Sequence, residues 1–97
     1  MSFSVRFTPS ANEDLLSYPI TQERIIVDSI KRHLAHEANR ETRRRKKLTD
    51  HPIAPWELRV GAFRVFYDIR DEMVVKITAI GHKVHSDLFI RGKKVEL

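Results

Sequence analysis

The sequence predicts an α+β domain in which two helices pack on one side of a small, mainly antiparallel sheet. Three observations favour this class: an alternating segment near the N-terminus, an amphipathic stretch after it, and three more strand-like segments separated by turn residues. The resulting order, β-α-α-β-β-β, is typical of folds whose helices are segregated to one face of a sheet. The 97 residues contain no repeat and no Gly/Ser-rich linker, so we expect a single domain over residues 1–97.

The N-terminal third predicts one strand and two helices. Residues 3–7 alternate apolar and polar side chains, which indicates a strand. Ser10 is the expected N-cap of a short helix, Pro19 should end it, and Thr21 should cap the second helix. Apolar residues recur at four-residue spacing in that second helix, namely Ile26, Ile30 and Leu34. We expect it to span about four to five turns and to end near Asn39.

The rest of the chain predicts a loop followed by a three-stranded meander. Residues 40–55 lack apolar periodicity and contain two prolines, which favours a loop. The predicted strands are residues 56–60, 63–69 and 73–80, with turns at 61–62 and 70–72. Gly81 is expected to end the sheet, and residues 82–97 form a polar remainder with one apolar patch at 88–90.

The positive charge of the chain is concentrated in one block. The formal net charge is +5, and the stretch from residue 40 to residue 47 holds six basic residues and one acid. Its basic residues are Arg40, Arg43, Arg44, Arg45, Lys46 and Lys47. Such a block is either a solvated face or an arm that binds a polyanion, so nucleic acid or an acidic protein is the expected partner.

Composition excludes several classes of chemistry. The chain has no cysteine, which rules out disulfides, thiolate nucleophiles and cysteine-based zinc sites. It has no apolar run long enough for a signal peptide or a membrane span, so we expect a cytoplasmic protein with no membrane partner. Glycine-rich phosphate loops, G-x-S-x-G, H-E-x-x-H and carboxylate clusters are all missing, and no cofactor or metal is expected.

The predicted hairpin at residues 61–62 places two arginines opposite each other. A two-residue turn pairs Arg59 with Arg64 on one face, while the apolar side chains of both strands share the other face and should pack on the second helix. Like charges directly opposed across a strand pair are destabilising. Either an anion or an acidic neighbour such as Glu57 or Asp68 lies between them, or both arginines simply extend into solvent.

Two of the five histidines are candidates for proton transfer or phosphate binding. His82 and His85 flank Lys83 just after the last predicted strand, next to the sheet face that carries Arg64, so this cluster could supply an acid and phosphate donors. Surface histidines are common, so the cluster could equally have no function. His33, His36 and His51 carry no functional signal: the first two are expected at the surface of the helix and the third in the loop.

The meander resembles the RelE/ParE superfamily of bacterial and archaeal toxins. The resemblance is strongest over residues 56–69, W-E-L-R-V-G-A-F-R-V-F-Y-D-I, and continues through 74–83 and 88–89. It covers nearly the whole chain, including the first strand and the two helices. It implies a toxin of a type II toxin–antitoxin pair with this α+β fold.

The resemblance implies one of two activities. RelE-like members enter the ribosomal A site and cut mRNA without a metal, by attack of a ribose 2′-OH on the neighbouring phosphate. ParE-like members share the fold and block DNA gyrase. The leading hypothesis is the ribosome-dependent endoribonuclease; the alternatives are a gyrase inhibitor and a detoxified homologue that acts with its antitoxin in repression. The implied partners are a cognate antitoxin, the ribosome and mRNA, with operator DNA bound only through the antitoxin complex.

The resemblance also assigns roles to individual residues. In the RNase branch an arginine in the middle strand of the meander stabilises the phosphate, and Arg64 matches it. A basic residue after the glycine of the last strand assists, which corresponds to Lys83 with His82 as its neighbour. Arg59 matches a basic residue of the preceding strand, and His85 takes the next basic position.

Two positions depart from the RNase pattern. Phe89 stands where RelE has a tyrosine, and Glu57 replaces an expected lysine. Phenylalanine can stack on a base but cannot accept a proton, so His85 or His82 would have to transfer it. A helical turn or a bend after Val84 would bring His85 to the pocket of Phe89. The substrate backbone is expected to be bound by Arg43, Arg44, Arg45, Lys46 and Lys47.

Overall fold

The computed structural model describes residues 2–71 and 73–97 and confirms the α+β architecture. In chain order the elements are β1 (Ser4–Phe7), α1 (Pro9–Leu16), α2 (Ile20–Leu34), β2 (Arg45–Lys47), β3 (Trp56–Val60), β4 (Phe63–Arg70), β5 (Val74–Val84), β6 (Asp87–Ile90) and β7 (Lys93–Val95). Residue 72, part of the second predicted turn, lies outside the described residues.

The strands form one sheet centred on β5. The antiparallel order is β2-β3-β4-β5-β6-β7, and β1 pairs with β5 in parallel. β1 and β6 lie along the same edge of β5, beside its first and its last residues. Between them, the N–H of Ile80 donates to Oδ2 of Asp14 at 3.0 Å, and Nε of Arg91 lies 2.8 Å from the other carboxylate oxygen. These two contacts stabilise a carboxylate that is only 1% exposed.

α1 begins earlier than the sequence predicts. Thr8 is its N-cap, because Oγ1 of Thr8 accepts a hydrogen bond from the N–H of Ala11 at 3.0 Å, so the predicted cap at Ser10 is wrong. Pro9 occupies the first turn, where its missing N–H leaves no hydrogen bond unmade. The preceding threonine is therefore the residue that caps the helix.

α2 begins directly after a proline that makes no side-chain cap, so the predicted cap at Thr21 is also wrong. The helix spans 15 residues and ends at Leu34, earlier than the predicted end near Asn39. The carbonyl of Ala35 accepts from the N–H of Phe3 at 2.7 Å, which ties the chain to the start of the sheet instead of continuing the helix. Neither helix of the described residues is long and apolar enough to cross a membrane.

The β3–β4 hairpin has the predicted register. Val60 pairs with Phe63 and Arg59 with Arg64 across a two-residue turn. Gly61, the first turn residue, has a φ of 57°, a conformation that favours glycine. The apolar face of the hairpin packs on α2, as predicted. This main core includes Trp56, Leu58, Val60, Val65 and Tyr67 from the hairpin and Ile26, Ile30 and Leu34 from α2.

Three regions predicted to lie outside the sheet are strands. β2 forms within the predicted loop and pairs with β3. β5 continues past Gly81 to Val84, so the prediction that Gly81 ends the sheet is wrong. The predicted polar remainder contains the β6–β7 hairpin. Gly81 is needed for another reason, since a Cβ there would clash with the carbonyl oxygen of Phe89 on β6.

A β-bulge interrupts the pairing of β4 with β5. Phe66 pairs with Ala79 while Tyr67 pairs with Ile77, so Thr78 is an extra residue on β5. An extra residue reverses the face on which all later side chains of a strand lie, because side chains alternate with a period of two. The bulge therefore decides on which face the basic and aromatic residues after Ile80 are found.

A second, smaller core covers the face opposite the helices. It consists of Ala54, Phe66, Ala79 and Leu88, with Leu48, Ile53, Ile90 and Val95 packed around them. The ring of His51 stacks on Phe66 with a centroid distance of 5.5 Å. The segment between β2 and β3 is thus folded over the sheet. Since the helices cover only the other face, this segment and the β6–β7 hairpin shield the apolar residues here.

Candidate functional site

Glu57 lies between the two opposed arginines. Its Oε2 is 3.0 Å from Nε of Arg59 and its Oε1 is 3.7 Å from Nε of Arg64, and its side chain is almost fully buried. Asp68, the other predicted neighbour, instead pairs with Arg70 at 2.7 Å. One carboxylate thus offsets the repulsion between two cations, and the three groups carry a net positive charge.

Arg64 is held against the hairpin turn. Its Nη1 donates to the carbonyls of Gly61 at 2.8 Å and Phe63 at 2.9 Å, and only 16% of its side chain is exposed. Burial lowers the pKa of Arg64, the charge of Glu57 raises it, and the charge of Arg59 lowers it further. An arginine remains charged in proteins at neutral pH despite such effects. The guanidinium is therefore a charged donor with a fixed orientation.

Two lysines lie on the same face as these arginines. Lys83 follows Gly81, the cross-strand partner of Arg64, by two residues, so its side chain lies on the face of Arg64. Lys46 is the cross-strand partner of Glu57 and lies on this face for the same reason. We call the resulting set the cationic face. It consists of Lys46, Arg59, Arg64 and Lys83.

Arg45 is a structural residue and not part of an exposed arm. It is 7% exposed; its Nε donates to the carbonyl of Arg40 at 2.9 Å and its Nη1 to that of His33 at 3.0 Å. Its Nη2 lies 3.8 Å from Glu37. The assignment of Arg45 to substrate binding is therefore corrected: its donors hold the chain that leaves α2. The exposed basic residues of the block are Arg40, Arg43, Arg44 and Lys47.

The two histidines predicted at the helix surface differ in environment. His36 is exposed, whereas His33 is half-buried beside the basic block. Burial lowers the pKa of His33, and the neighbouring charges of Arg44, Arg45 and Arg32 lower it further. No contact of either residue with the cationic face is observed within the described residues.

His82 lies on the helix face, which contradicts the prediction that it lies beside Arg64. Its Nδ1 is 2.8 Å from the hydroxyl of Tyr18, and its ring stacks on Phe89 with a centroid distance of 5.7 Å. The bulge at Thr78 explains this placement, because it reverses the faces of all later residues of β5. The sheet thus separates His82, a predicted proton-transfer residue, from Arg64, the predicted phosphate-binding residue.

Tyr18 is a residue that the sequence reasoning missed. Burial raises the pKa of Tyr18 to about 12, with a further contribution from the charge of Asp14. The hydroxyl therefore keeps its proton at neutral pH and lies within hydrogen-bond distance of Nδ1 of His82, at 2.8 Å. Where the hydroxyl is the donor, a neutral imidazole carries its proton on Nε2. No local pattern predicts this contact, since the two residues are 64 positions apart.

His85 lies in the turn between β5 and β6. It is exposed and has a φ of 58°. Of the two predicted arrangements the helical turn is wrong; the chain does bend after Val84, but this bend is the turn of a β-hairpin in which Phe89 pairs with His82. His85 therefore remains close along the chain to Lys83 but does not share a pocket with Phe89.

His51 is the second missed residue. Its ring covers Phe66 on the side of the sheet that carries the cationic face, and its Nδ1 accepts a hydrogen bond from the N–H of Ile53 at 3.2 Å. A neutral imidazole in this arrangement carries its proton on Nε2. The stack depends on how the loop folds back, so the sequence pattern gives no signal for it. Among residues 2–71 and 73–97, no cluster of three or more potential metal ligands occurs.

Two helices on one face of a mainly antiparallel sheet, with opposed arginines on the other, are the features expected of the RelE/ParE superfamily that the sequence resembles. Residues 5–85 match the family described as ParE toxin of type II toxin-antitoxin system, parDE. The chain therefore belongs to the ParE toxin family. No curated protein matches the sequence.

A solved structure supports the same fold. The toxin–antitoxin complex RelBE2 from Mycobacterium tuberculosis contains a similar chain, with a TM-score of 0.72 and 28% sequence identity. The alignment covers 86% of this chain and 100% of that chain. The predicted superfamily and the predicted fold class are both confirmed.

Proposed function

We propose that this toxin inhibits translation by cutting mRNA on the ribosome. The observation that supports the proposal is the cationic face, where Arg64 and Lys83 flank Gly81 on one side of the sheet and Arg59 faces Arg64 across the hairpin. Attack of a 2′-OH on phosphate builds negative charge on the phosphate oxygens. Fixed cations stabilise such charge without reorganising during the reaction.

The proposed reaction needs three contributions. The 2′-oxygen forms a bond to phosphorus and gives up its proton to solvent, the bond from phosphorus to the 5′-oxygen breaks, and that oxygen takes up a proton from His85, which leaves a cyclic phosphate. Arg64 and Lys83 are assigned to the phosphate, with Arg59 as a further donor. His85 is assigned to proton transfer, because it follows Lys83 by two residues and its exposed imidazole can approach the phosphate. Orientation of the 2′-OH is assigned to the ribosome-bound RNA.

A cognate antitoxin is the proposed protein partner. The similar structure from Mycobacterium tuberculosis is that of a toxin–antitoxin complex. The exposed basic residues Arg43, Arg44 and Lys47 would attract an acidic antitoxin segment as readily as an RNA backbone. We therefore expect antitoxin and RNA to compete for this part of the surface.

Inhibition of DNA gyrase is the second candidate. Glu57 favours it, because its carboxylate already neutralises part of the charge of Arg59 and Arg64, and so does the position of His82 on the other face of the sheet. Membership in the ParE toxin family points in the same direction. A protein that only binds a target needs no proton-transfer group beside its arginines.

Toe-printing of mRNA on ribosomes separates the two candidates. The purified toxin should produce new 3′ ends within the A-site codon, and Arg64→Ala should lower the cleavage rate by ~10²–10³, the usual effect of losing one preorganised donor. Arg24→Ala, at an exposed position of α2, is the matched control and should cleave like the natural sequence. A fully toxic Arg64→Ala protein at equal expression, or inhibition of gyrase supercoiling without cleavage, would refute the nuclease proposal.

A further inference from the structure

A groove on the helix face lies next to the cationic face. It has a volume of about 500 Å³ and opens between the start of α2 and the β3–β4 turn. Its lining residues are Tyr18, Pro19, Gln22, Ala62, Phe63 and His82. The groove is a feature of the tertiary structure alone, because these residues come from three separate parts of the chain.

The walls of the groove are aromatic and apolar. The rings of Tyr18 and Phe63 meet edge to face with centroids 5.3 Å apart, and those of Tyr18 and His82 do so at 5.7 Å. His82 is held from its other side by the stacked ring of Phe89. Such rings offer stacking surfaces for a planar ligand, and stacking tolerates any of the four nucleobases.

Polar groups are few and face the same space. The hydrogen bond between the Tyr18 hydroxyl and Nδ1 of His82 leaves Nε2 of His82 as the ring nitrogen available to a ligand. Gln22, exposed on the first turn of α2, adds an amide with both donor and acceptor capacity. Apolar walls with a small number of orienting hydrogen-bond groups are typical of small-molecule and cofactor sites. None of the lining residues is a lysine, arginine, aspartate or glutamate, so the groove suits a neutral ring better than a charged peptide.

The groove and the phosphate-binding residues share the same end of the sheet. Arg64 directly follows Phe63 in the chain and donates to its carbonyl at 2.9 Å. Lys83 directly follows His82, and its N–H donates to the carbonyl of Ala62 at 2.8 Å. An RNA strand that crosses the β3–β4 turn would therefore meet cations on one face and the aromatic groove on the other.

We propose that this groove binds a nucleobase of the RNA strand whose phosphate contacts Arg64 and Lys83. The inference rests on the proposed function and adds a base subsite that the cationic face alone does not provide. His82 then serves in base binding, with Tyr18 and the stacked ring of Phe89 as the residues that position it.

The test compares two fluorescent strands of equal length and charge. One is a short oligoribonucleotide with 2′-O-methyl groups that block cleavage, and the other is the same backbone without bases. Fluorescence anisotropy measures both dissociation constants. We expect Ala62→Leu, which fills the groove from the exposed turn, to weaken binding of the base-containing strand about tenfold, in line with the loss of one stacked base. The abasic strand should bind to both proteins equally.

A second variant controls for the possibility that Ala62→Leu changes the β3–β4 turn itself. Gln22→Ala should weaken only the base-containing strand, whereas Thr21→Ala, its exposed neighbour outside the groove, should bind both strands normally. Equal affinity of the natural sequence for the two strands, or no effect of Ala62→Leu, would overturn the inference. So would a loss of antitoxin binding in Ala62→Leu with unchanged RNA binding, because the groove would then serve a protein partner.

Failure of the underlying function gives a different result. If Arg64→Ala leaves the affinity for both strands unchanged, the phosphate assignment is wrong and the nuclease proposal fails together with the base subsite. If Arg64→Ala weakens both strands while the bases contribute nothing, the base subsite alone is refuted.

Discussion

Arg64 and His82 lie on opposite faces of the sheet because Arg64 is the cross-strand partner of Gly81, the residue before His82. In a regular strand neighbouring residues alternate between faces. The single extra residue at Thr78 decides whether His82 or Lys83 lies on the face of Arg64. It places Lys83 on that cationic face and His82 on the other. The bulge thus separates the residues that would bind phosphate from those that would bind a base.

Both tyrosines of the chain should resist ionisation in the folded protein. Burial raises the pKa of Tyr18 to about 12 and also raises that of Tyr67, whose hydroxyl donates to the carbonyl of Ala38 at 2.8 Å. Since the chain contains no other tyrosine, near-UV absorbance at pH 10 should show almost no tyrosinate. In denaturant, about half of the tyrosine side chains should be ionised at that pH.

The same shifts set a direction for alkaline stability. A raised folded pKa means that the neutral phenol is favoured by folding, so this stabilisation is complete below pH 10 and is lost as the pH rises above it. The free energy of unfolding, measured with urea, should therefore fall between pH 10 and pH 12. The free energy of unfolding of the Tyr18→Phe variant should fall less steeply with pH than that of the natural sequence. Half ionisation of the native protein at pH 10 would contradict both statements.

Replacing Glu57 should change stability and phosphate binding in opposite directions. Glu57→Gln removes the carboxylate between Arg59 and Arg64, so the free energy of unfolding should fall by up to roughly 3 kcal/mol, as when a buried ion pair is broken. The freed arginines should bind single-stranded RNA more tightly. Asp68→Asn, whose carboxylate pairs with exposed Arg70, is the control and should leave RNA affinity unchanged. Weaker RNA binding in Glu57→Gln would show that Glu57 does not compete with phosphate.

The basic block should divide into binding and structural residues. Arg43 and Arg44 are exposed, so replacing both by Gln should flatten the dependence of log affinity on log salt by about 1.4, given roughly −0.7 per phosphate on single strands. Thermal and urea unfolding of this variant should be unchanged. Arg45→Gln should instead lower the free energy of unfolding by about 2–3 kcal/mol, because two carbonyls lose a charged donor. An unchanged salt slope would show that Arg43 and Arg44 do not contact the RNA phosphates and are either without a binding role or reserved for the antitoxin.

The histidines should differ in their effect on cleavage. His85→Gln should lower the single-turnover rate by ~10²–10⁴, the usual worth of general acid–base catalysis, and remove a titration from the pH–rate profile. His82→Gln should raise the KM for RNA and leave that titration in place, because its ring lies on the helix face. His51→Gln tests the remaining imidazole on the cationic side. If the titration disappears in His51→Gln and persists in His85→Gln, the proton-transfer role belongs to His51.

The sequence predicted the hairpin and the main helix well because both depend on local patterns. The alternation around Gly61 fixes which side chains of β3 and β4 share a face, and it placed Arg59 opposite Arg64 correctly. The four-residue spacing of Ile26, Ile30 and Leu34 likewise identified the buried face of α2. The resemblance to the toxin superfamily rests on these same segments, and the family comparison confirmed it.

Only the tertiary structure decided the features that depend on residues distant in the sequence. β2 and β7 each have three residues and form only because a neighbouring strand supplies their hydrogen bonds. Arg45 belongs to a basic block that the sequence predicts to be exposed, yet its side chain is buried because it donates to the carbonyl of His33 in α2 and to that of Arg40 after the helix. The bulge at Thr78 has no sequence signature, and one residue is enough to reverse a face. The sequence by itself therefore determined the fold class and the arginine pair, while long-range pairing decided which histidine and which aromatic rings lie near them.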